Sequence, residues 1–268
     1  MRWTHWLLTS ACAVLLAGPA LADGKAPGEV TKELLSLGRL KAMDAATAKA
    51  QCLDWLKQTG KTDAATLARF EEIWQSQRPV LERVVQSFTL GSAEAARLLR
   101  EAGDPNIPAP TELPAILTDQ KTSAFFRANL GLAYAKKLSQ RRVYEESLRA
   151  LQNIKPAQVV DPASYFFHRA VAEHALMMKD EASRSILAIN EDVADAPDRY
   201  RMVSLLMLYD MQNWKDKDLG WIARKMKNIE RRLDLARGGP QTQKMQKEVV
   251  ARLDELIKQL ENQKKGGG

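Results

Sequence analysis

The sequence predicts an all-α protein of stacked antiparallel helical hairpins that ends in a C-terminal helical hairpin. Three observations carry that expectation. After residue 29, apolar residues recur at spacings of three and four, the period of a helix with one buried face. Capping residues and proline or glycine breaks fall between these stretches at helix-length intervals. No segment shows sustained two-residue alternation with β-branched enrichment, so little or no sheet is expected.

The first 22 residues stand apart from that pattern. Arg2, an apolar run from Trp6 to Leu16, and Ala20-Leu21-Ala22 ahead of Asp23 have the layout of a cleavable secretory signal. The run is shorter than the roughly 20 residues that a spanning helix needs, and nothing from Asp23 onward offers such a stretch. Thr9 stands three residues before Cys12, where a lipidated cysteine usually has leucine. The expected address is therefore periplasmic or secreted, with cleavage after Ala22 and a soluble mature chain. Asp23 to Gly28, with Gly24, Pro27 and Gly28, reads as a flexible lead-in to order that begins near Glu29.

The full chain of 268 residues carries a net charge of +7. Removing residues 1 to 22 takes away Arg2 and no acid, which leaves 39 basic and 33 acidic residues, or +6. That balance is too mild for a dedicated nucleic-acid binder and does not choose among acidic protein, lipid head groups and polysaccharide. Cys52 is the only cysteine beyond the signal, so no internal disulfide can form. Its neighbours Leu53 and Leu56 mark it as a small buried residue of a helix.

Residues 23 to 102 read as an N-terminal helical region. Asp44 can cap a helix through Gly60, Asp63 one through Gln77, and Ser92 one ending at Gly103, while Pro79 divides the long middle segment. Residues 103 to 120 are rich in proline, with Pro105, Pro108, Pro110 and Pro114. Each fixes its own dihedral and steers the preceding residue away from the helical region. The segment is a linker or an extended strap; Ile107, Leu113, Ile116 and Leu117 favour the strap, because free linkers are more polar.

From residue 121 to residue 212, apolar helical stretches alternate with breaks at Lys155-Pro156, Asp161-Pro162 and Ala196-Pro197. Leu130-Gly131-Leu132-Ala133-Tyr134 places a glycine between a leucine and a tyrosine, as in the first helix of a tetratricopeptide hairpin. Tyr144, Leu148, Leu151 and Pro156 supply the second helix. Phe167, Ala170, Val171 and His174, followed by Ile186 and Ile189, form a second unit, and Tyr200, Val203, Ser204 and Met207 begin a third. Residues 121 to 212 thus resemble a degenerate tetratricopeptide-like repeat array of the bacterial exported type, with Arg127 where that family favours tryptophan. From Arg127 to Phe167 the first two units are offset by 40 residues and from Phe167 to Tyr200 the next two by 33, close to the family's period of about 34, so the first needs an insertion.

The resemblance implies an α-solenoid whose concave surface holds a protein or peptide, contributing shape and not chemistry. In that family the first helix of each hairpin lines the inner surface. This nominates Arg127, Lys136, Lys137, His168, Arg169 and Arg201 as partner contacts, whose basic bias suits an acidic segment. No cofactor is implied.

Residues 213 to 262 form two stripes: Leu219, Ile222, Met226, Ile229 and Leu233, then Met245, Val249, Leu253, Leu256 and Leu260, separated by Arg237-Gly238-Gly239-Pro240. They can zip as an intramolecular antiparallel hairpin, or recruit a second molecule as a coiled coil and make a homo-oligomer through residues 219–260. Trp214 and Trp221 are expected to stack where the hairpin meets the repeats. Arg224, Lys225, Lys227, Arg231 and Arg232 read as a solvated helix face. The glycine-ended tail, residues 263 to 268, is expected to be disordered.

No catalytic constellation is visible. His168 and His174 are six residues apart, hence on different helix faces, and cannot share a metal; His174 reads as partly buried packing and His168 as exposed beside Arg169. Adjacent carboxylates such as Glu71-Glu72 and Glu145-Glu146 diverge around a helix and do not flank a substrate. There is no Gly-x-Ser-x-Gly, phosphate loop, Cys-x-x-Cys or His-Glu-x-x-His. The expected function is that of a non-enzymatic adaptor in the cell envelope, with a structural oligomer, and then a cell-wall enzyme with a dispersed site, as alternatives. If the signal reading is right, expression of the full chain in a secreting bacterial host yields a product whose N-terminal sequencing begins at Asp23. A product that retains residues 1 to 22 contradicts it.

Overall fold

The computed structural model describes residues 38–266; the signal, the lead-in and the expected start of order near Glu29 lie outside the described residues. Among the described residues there are eleven α-helices, two short 3₁₀ turns and no strand, so the chain is all-α. The first four are α1 (Ala45–Gln58), α2 (Ala64–Gln75), α3 (Val80–Gly91) and α4 (Ala93–Gly103). After residues 104–123 come α5 (Ala124–Gln140), α6 (Tyr144–Gln152), α7 (Pro162–Ala175), α8 (Lys179–Glu191) and α9 (Asp198–Gln212). The last two are α10 (Leu219–Asp234) and α11 (Pro240–Gly266). No helix among the described residues is long and apolar enough to cross a membrane.

The helix starts follow the capping chemistry. Asp44, Asp63 and Ser92 each accept the backbone N–H three residues on, from Thr47, Thr66 and Ala95. Pro79 separates α2 from α3. In this block Cys52 is fully buried, and burial pushes its thiol up to about 12 against a small opposing effect from Ser87, so it stays protonated and inert. Gly91 is required by packing: a Cβ there would lie 2.4 Å from the Trp55 indole. Trp55 in turn stacks on Phe126 of α5, with centroids 4.8 Å apart and planes 8° apart. One apolar cluster therefore runs from α1 through α7.

The proline-rich segment is a strap on that cluster. Leu117 is buried, and Ala109, Leu113 and Ile116 pack beside it. Side chains from elsewhere bind its backbone: Arg141 donates to the Ile107 carbonyl at 2.5 Å, Arg149 to Thr111 at 2.8 Å, Asn153 to Leu117 at 3.1 Å and Arg237 to Pro110 at 2.7 Å. A segment whose prolines cannot donate is thus held by its acceptors.

From α3 to α9 each helix packs on the next, and α3 with α5, α5 with α7, and α7 with α9 also touch. Two of the turns are congruent. Arg142 after α5 and Met177 after α7 both have positive φ (62° and 63°), and Val143 and Met178 each donate to the carbonyl five residues back, Leu138 and Glu173, at 2.9 Å. Arg142 and Met177 are 35 residues apart. The offset of 40 read between Arg127 and Phe167 therefore set the second unit five residues late, the position equivalent to Arg127 being Pro162 at the start of α7; the helix starts themselves are 38 apart because α5 has 17 residues and α7 has 14. Gly131 does not mark the tightest contact: an added Cβ would lie 3.4 Å from Ile154, just beyond α6, in ordinary contact. Buried polar bonds tie neighbouring helices, with Ser147 donating to the Ala135 carbonyl at 2.8 Å and Ser185 to the Glu173 carboxylate at 2.6 Å.

α10 and α11 form a hairpin around Ile222, Ile229 and Val249, an apolar cluster separate from the rest. Pro240 opens α11, where its missing N–H would have no helical acceptor. Of the tail expected to be disordered, residues 263–266 instead continue this helix, since Gln263, Lys264 and Lys265 are good helix formers and the lysines suit a helix C-terminus, while 267 and 268 lie outside the described residues. Replacing Leu117 by alanine should destabilise the protein by about 2–4 kcal/mol in urea unfolding. Residues 104 to 118 should also resist limited proteolysis in the wild type, and rapid cleavage there into two stable fragments would contradict the strap.

Candidate functional site

A cleft of about 670 Å³ lies between the α10–α11 hairpin and the helices it docks on. Arg142 and Tyr144 contribute from the α5–α6 turn, His174 and Met177 from the end of α7, Met207, Asp210 and Trp214 from α9, and Arg224, Lys227, Asn228 and Arg231 from α10. Its existence depends on how the hairpin is held. Glu145 binds Arg231 through both oxygens at 2.9 and 2.8 Å, and Arg232 at 2.5 Å. Glu146 binds Arg237 at 2.9 Å and Arg149 at 3.3 Å. Arg231 is 3 % exposed; its remaining donors go to the Arg142 carbonyl and the Asn228 side chain, and its plane lies over the Tyr144 ring. Asn228 donates to the Ala175 carbonyl at 2.7 Å, which closes the seam.

Burial alone would raise the Glu145 carboxyl, but the bonds and charge of Arg231, with help from Arg232, outweigh it and hold the group down at about 2. This corrects the sequence reading twice. Arg231 and Arg232 are buried, Arg232 also donating to Thr242, and do not belong to a solvated face. Glu145 and Glu146 do diverge around α6, yet each faces arginines, because the hairpin crosses the start of that helix.

Along the opposite wall, Asp210 accepts from the Trp214 indole N–H at 3.0 Å and lies 3.0 Å from His174 Nε2. Trp214 sits between His174, with ring centroids 5.0 Å apart, and Arg224, whose guanidinium carbon is 4.6 Å from its ring. Arg224 approaches Asp218 only at 3.8 Å, and its buried Nε has no hydrogen-bond partner. Arg142 is about half exposed and 3.8 Å from Asp234. Lys227 is exposed and makes no ion pair among the described residues. Trp221 packs within the hairpin under Lys225 and does not stack on Trp214, contrary to expectation. Four cationic side chains thus line the cleft against a single carboxylate, beside aromatic and methionine surface.

The six residues nominated from the repeat resemblance are not gathered in this cleft. Arg127 donates to the Asp119 and Thr122 carbonyls and to Gln120, closing the turn before α5. Arg169 binds the buried Glu173 at 2.8 Å, and Arg201 binds the Ala196, Val193 and Ala194 carbonyls after α8. His168 is 7 % exposed and not on the surface as expected; it faces Ser139 across α5. Burial, reinforced by the charge of Lys136, lowers it to about 4, so it is neutral at physiological pH. Lys136 and Lys137 line a smaller recess of about 380 Å³ with Arg100 and Glu82. Among the described residues no group of three or more His, Cys, Asp or Glu could hold a metal ion. No family model, curated protein or solved structure matches this chain.

The cleft residues were hidden in the sequence because they come from four helices and three turns. The one local signal was Trp214 beside the basic run of α10.

Replacing Glu145 with glutamine should cost on the order of 3 kcal/mol at neutral pH, since two buried guanidiniums lose their counter-charge. The folded-state value of Glu145 lies below its ordinary one, so its contribution is present above about pH 4.5 and fades as pH falls toward 2. Melting curves of wild type and Glu145→Gln should therefore converge in that window. A constant difference from pH 7 to 2 would contradict the clamp.

Proposed function

We propose that this protein is an exported, non-enzymatic helical-repeat adaptor of the cell envelope that binds an acidic segment of a protein partner in the cleft between α10 and the α5–α9 helices. The observation that carries this reading is the charge imbalance of the cleft, where Arg142, Arg224 and Lys227 stand against Asp210 once Arg231 is taken by Glu145, on an aromatic and apolar floor. Carboxylates of a partner would meet Arg142, Arg224 and Lys227, while Trp214, Tyr144 and Met207 take its apolar side chains. Arg231 is committed to Glu145 and serves to hold the wall.

Two further features support a protein ligand. α9, which forms one wall, leaves Met202, Leu205, Leu206 and Tyr209 exposed at spacings of three, one and three, an apolar stripe on which an amphipathic acidic segment could continue out of the cleft. The congruent turns 35 residues apart, with each helix packed on its successor, support a tetratricopeptide-like stack, an architecture suited to holding peptides. Lys136 and Lys137 offer a second basic contact in their own recess.

The test is recovery of partners from an envelope extract by the mature protein, with each captured protein then assayed as purified segments in increasing salt. Double replacement of Arg224 and Lys227 by glutamate should weaken binding of an acidic segment by at least about 30-fold and flatten its salt dependence. Glutamate at Arg127 and Arg201, which bind the protein's own carbonyls, should act on stability instead. Unchanged recovery with the cleft variant, at unchanged melting temperature, would remove the cleft as the site.

A further inference from the structure

We propose that the outer face of the α10–α11 hairpin is a homodimer surface, on which two copies of this chain pair their α11 helices antiparallel and close a four-helix bundle. The inference is independent of the cleft, which lies on the side of α10 that meets the body.

A two-helix hairpin buries only the residues between its helices, and this one leaves a second apolar face bare. On α10, Leu219, Met226 and Leu233 recur every seven residues and are 69, 54 and 48 % exposed. On α11, Val250, Leu253, Ile257 and Leu260 are 57, 37, 53 and 60 % exposed. The two rows are joined by an apolar groove of about 540 Å³ in which Met226, Leu233 and Val250 flank Ile229 and Val249. Exposed aliphatic rows on both helices of a hairpin are the pattern of half a bundle.

A second copy fits this face better than an unrelated helix, because the α11 row is symmetric. Its gaps of three, four and three read the same in both directions, as a two-fold interface requires. Antiparallel pairing centred between Leu253 and Ile257 sets Val250 against Leu260 of the second copy and Leu253 against its Ile257. The same register brings Lys247 beside Glu261 of the second copy, at both ends. The charges of α11 divide accordingly: Glu248 pairs with Lys225 and Glu255 with Arg252 inside the chain, whereas Lys247, Asp254, Lys258 and Glu261, which border the bare row, make no ion pair among the described residues. One contact is unfavourable. Asp254 meets its own copy at the two-fold axis, with Lys258 one turn away to offset it.

The length of α11 also fits. Arg252 already reaches the Lys217 carbonyl just ahead of α10, so residues 257 to 266 run past the first turn of their own partner helix. In the antiparallel arrangement these turns lie along α10 of the second copy, which gives Ile257 and Leu260 a cover that their own chain lacks. The seven half-exposed side chains offer roughly 300–500 Å² of apolar surface per copy, at the upper end of what a monomer leaves bare. Doubled and rimmed with polar residues, this approaches the roughly 1,000 Å² needed for a specific interface.

Analytical ultracentrifugation of the mature protein over a range of concentrations tests the proposal. A monomer–dimer equilibrium is expected, with Ile257→Asp combined with Leu260→Asp weakening dimerisation at least about 100-fold at unchanged melting temperature of the body. Lys247→Glu should weaken it about tenfold, and Lys247→Glu combined with Glu261→Lys should restore it. Asp254→Asn should tighten the dimer, a signature of the two-fold pairing that a merely sticky surface would not give. A monomer at every concentration, a dimer indifferent to the aspartate substitutions, or an open-ended series of larger species would each overturn the proposal.

Discussion

Two adjacent carboxylates at the start of α6 hold the C-terminal hairpin of this protein in place. Taking Glu145 and three arginines out of water carries a desolvation cost that only complete pairing can offset. The pairing here is complete where burial is deepest: both Glu145 oxygens are used by Arg231, every donor group of Arg231 has an acceptor, and Arg232 and Arg237 complete the set on Glu145, Glu146, Thr242 and the strap. An apolar seam could slide by a helical turn, whereas forked guanidiniums on two fixed carboxylates accept one register. The hairpin therefore has its own small apolar core for cohesion and a charged seam for position.

That division of labour explains the cleft. Because the hairpin touches the body along a polar seam, it stands away from α7 and α9 on one side, and the gap is walled by whatever α10 presents beyond Arg231. Toward its start α10 presents Asn228 and Lys227 and, one turn on, Arg224, and only Asn228 is bonded to the body. Trp214 at the end of α9 then serves both walls, as an indole donor to Asp210 and as a platform for Arg224. The positive field is what remains after the clamp has taken its share of the basic residues on this helix.

Much of the architecture was legible in the chain. Asp44, Asp63, Ser92 and Pro79 mark helix boundaries through local chemistry that tertiary structure does not override, and the apolar spacing gave the helical class and the final hairpin. The repeat register was obscured because the left-handed turn positions carry Arg142 and Met177 where glycine would have announced them, and because α5 begins a turn early. The site was misread for a related reason. An arginine in sequence carries no mark of whether it faces water or a carbonyl: Arg127 and Arg201 close turns, Arg231 and Arg232 are buried, and the exposed Lys227 looked like its neighbours. Glu145-Glu146 gave no sign of its role because the partners lie more than 80 residues away.

The strap illustrates a different economy of information. Arg141, Arg149, Asn153 and Arg237 grip it by main-chain oxygen atoms, which every amino acid supplies. Outside the few positions that point inward, such as Leu117, its side chains are free to drift, while the count of peptide units between Asp104 and Ser123 is not: one inserted or deleted residue would bring each oxygen out of step with its donor. Evolution of this stretch should therefore show loose spelling and strict length.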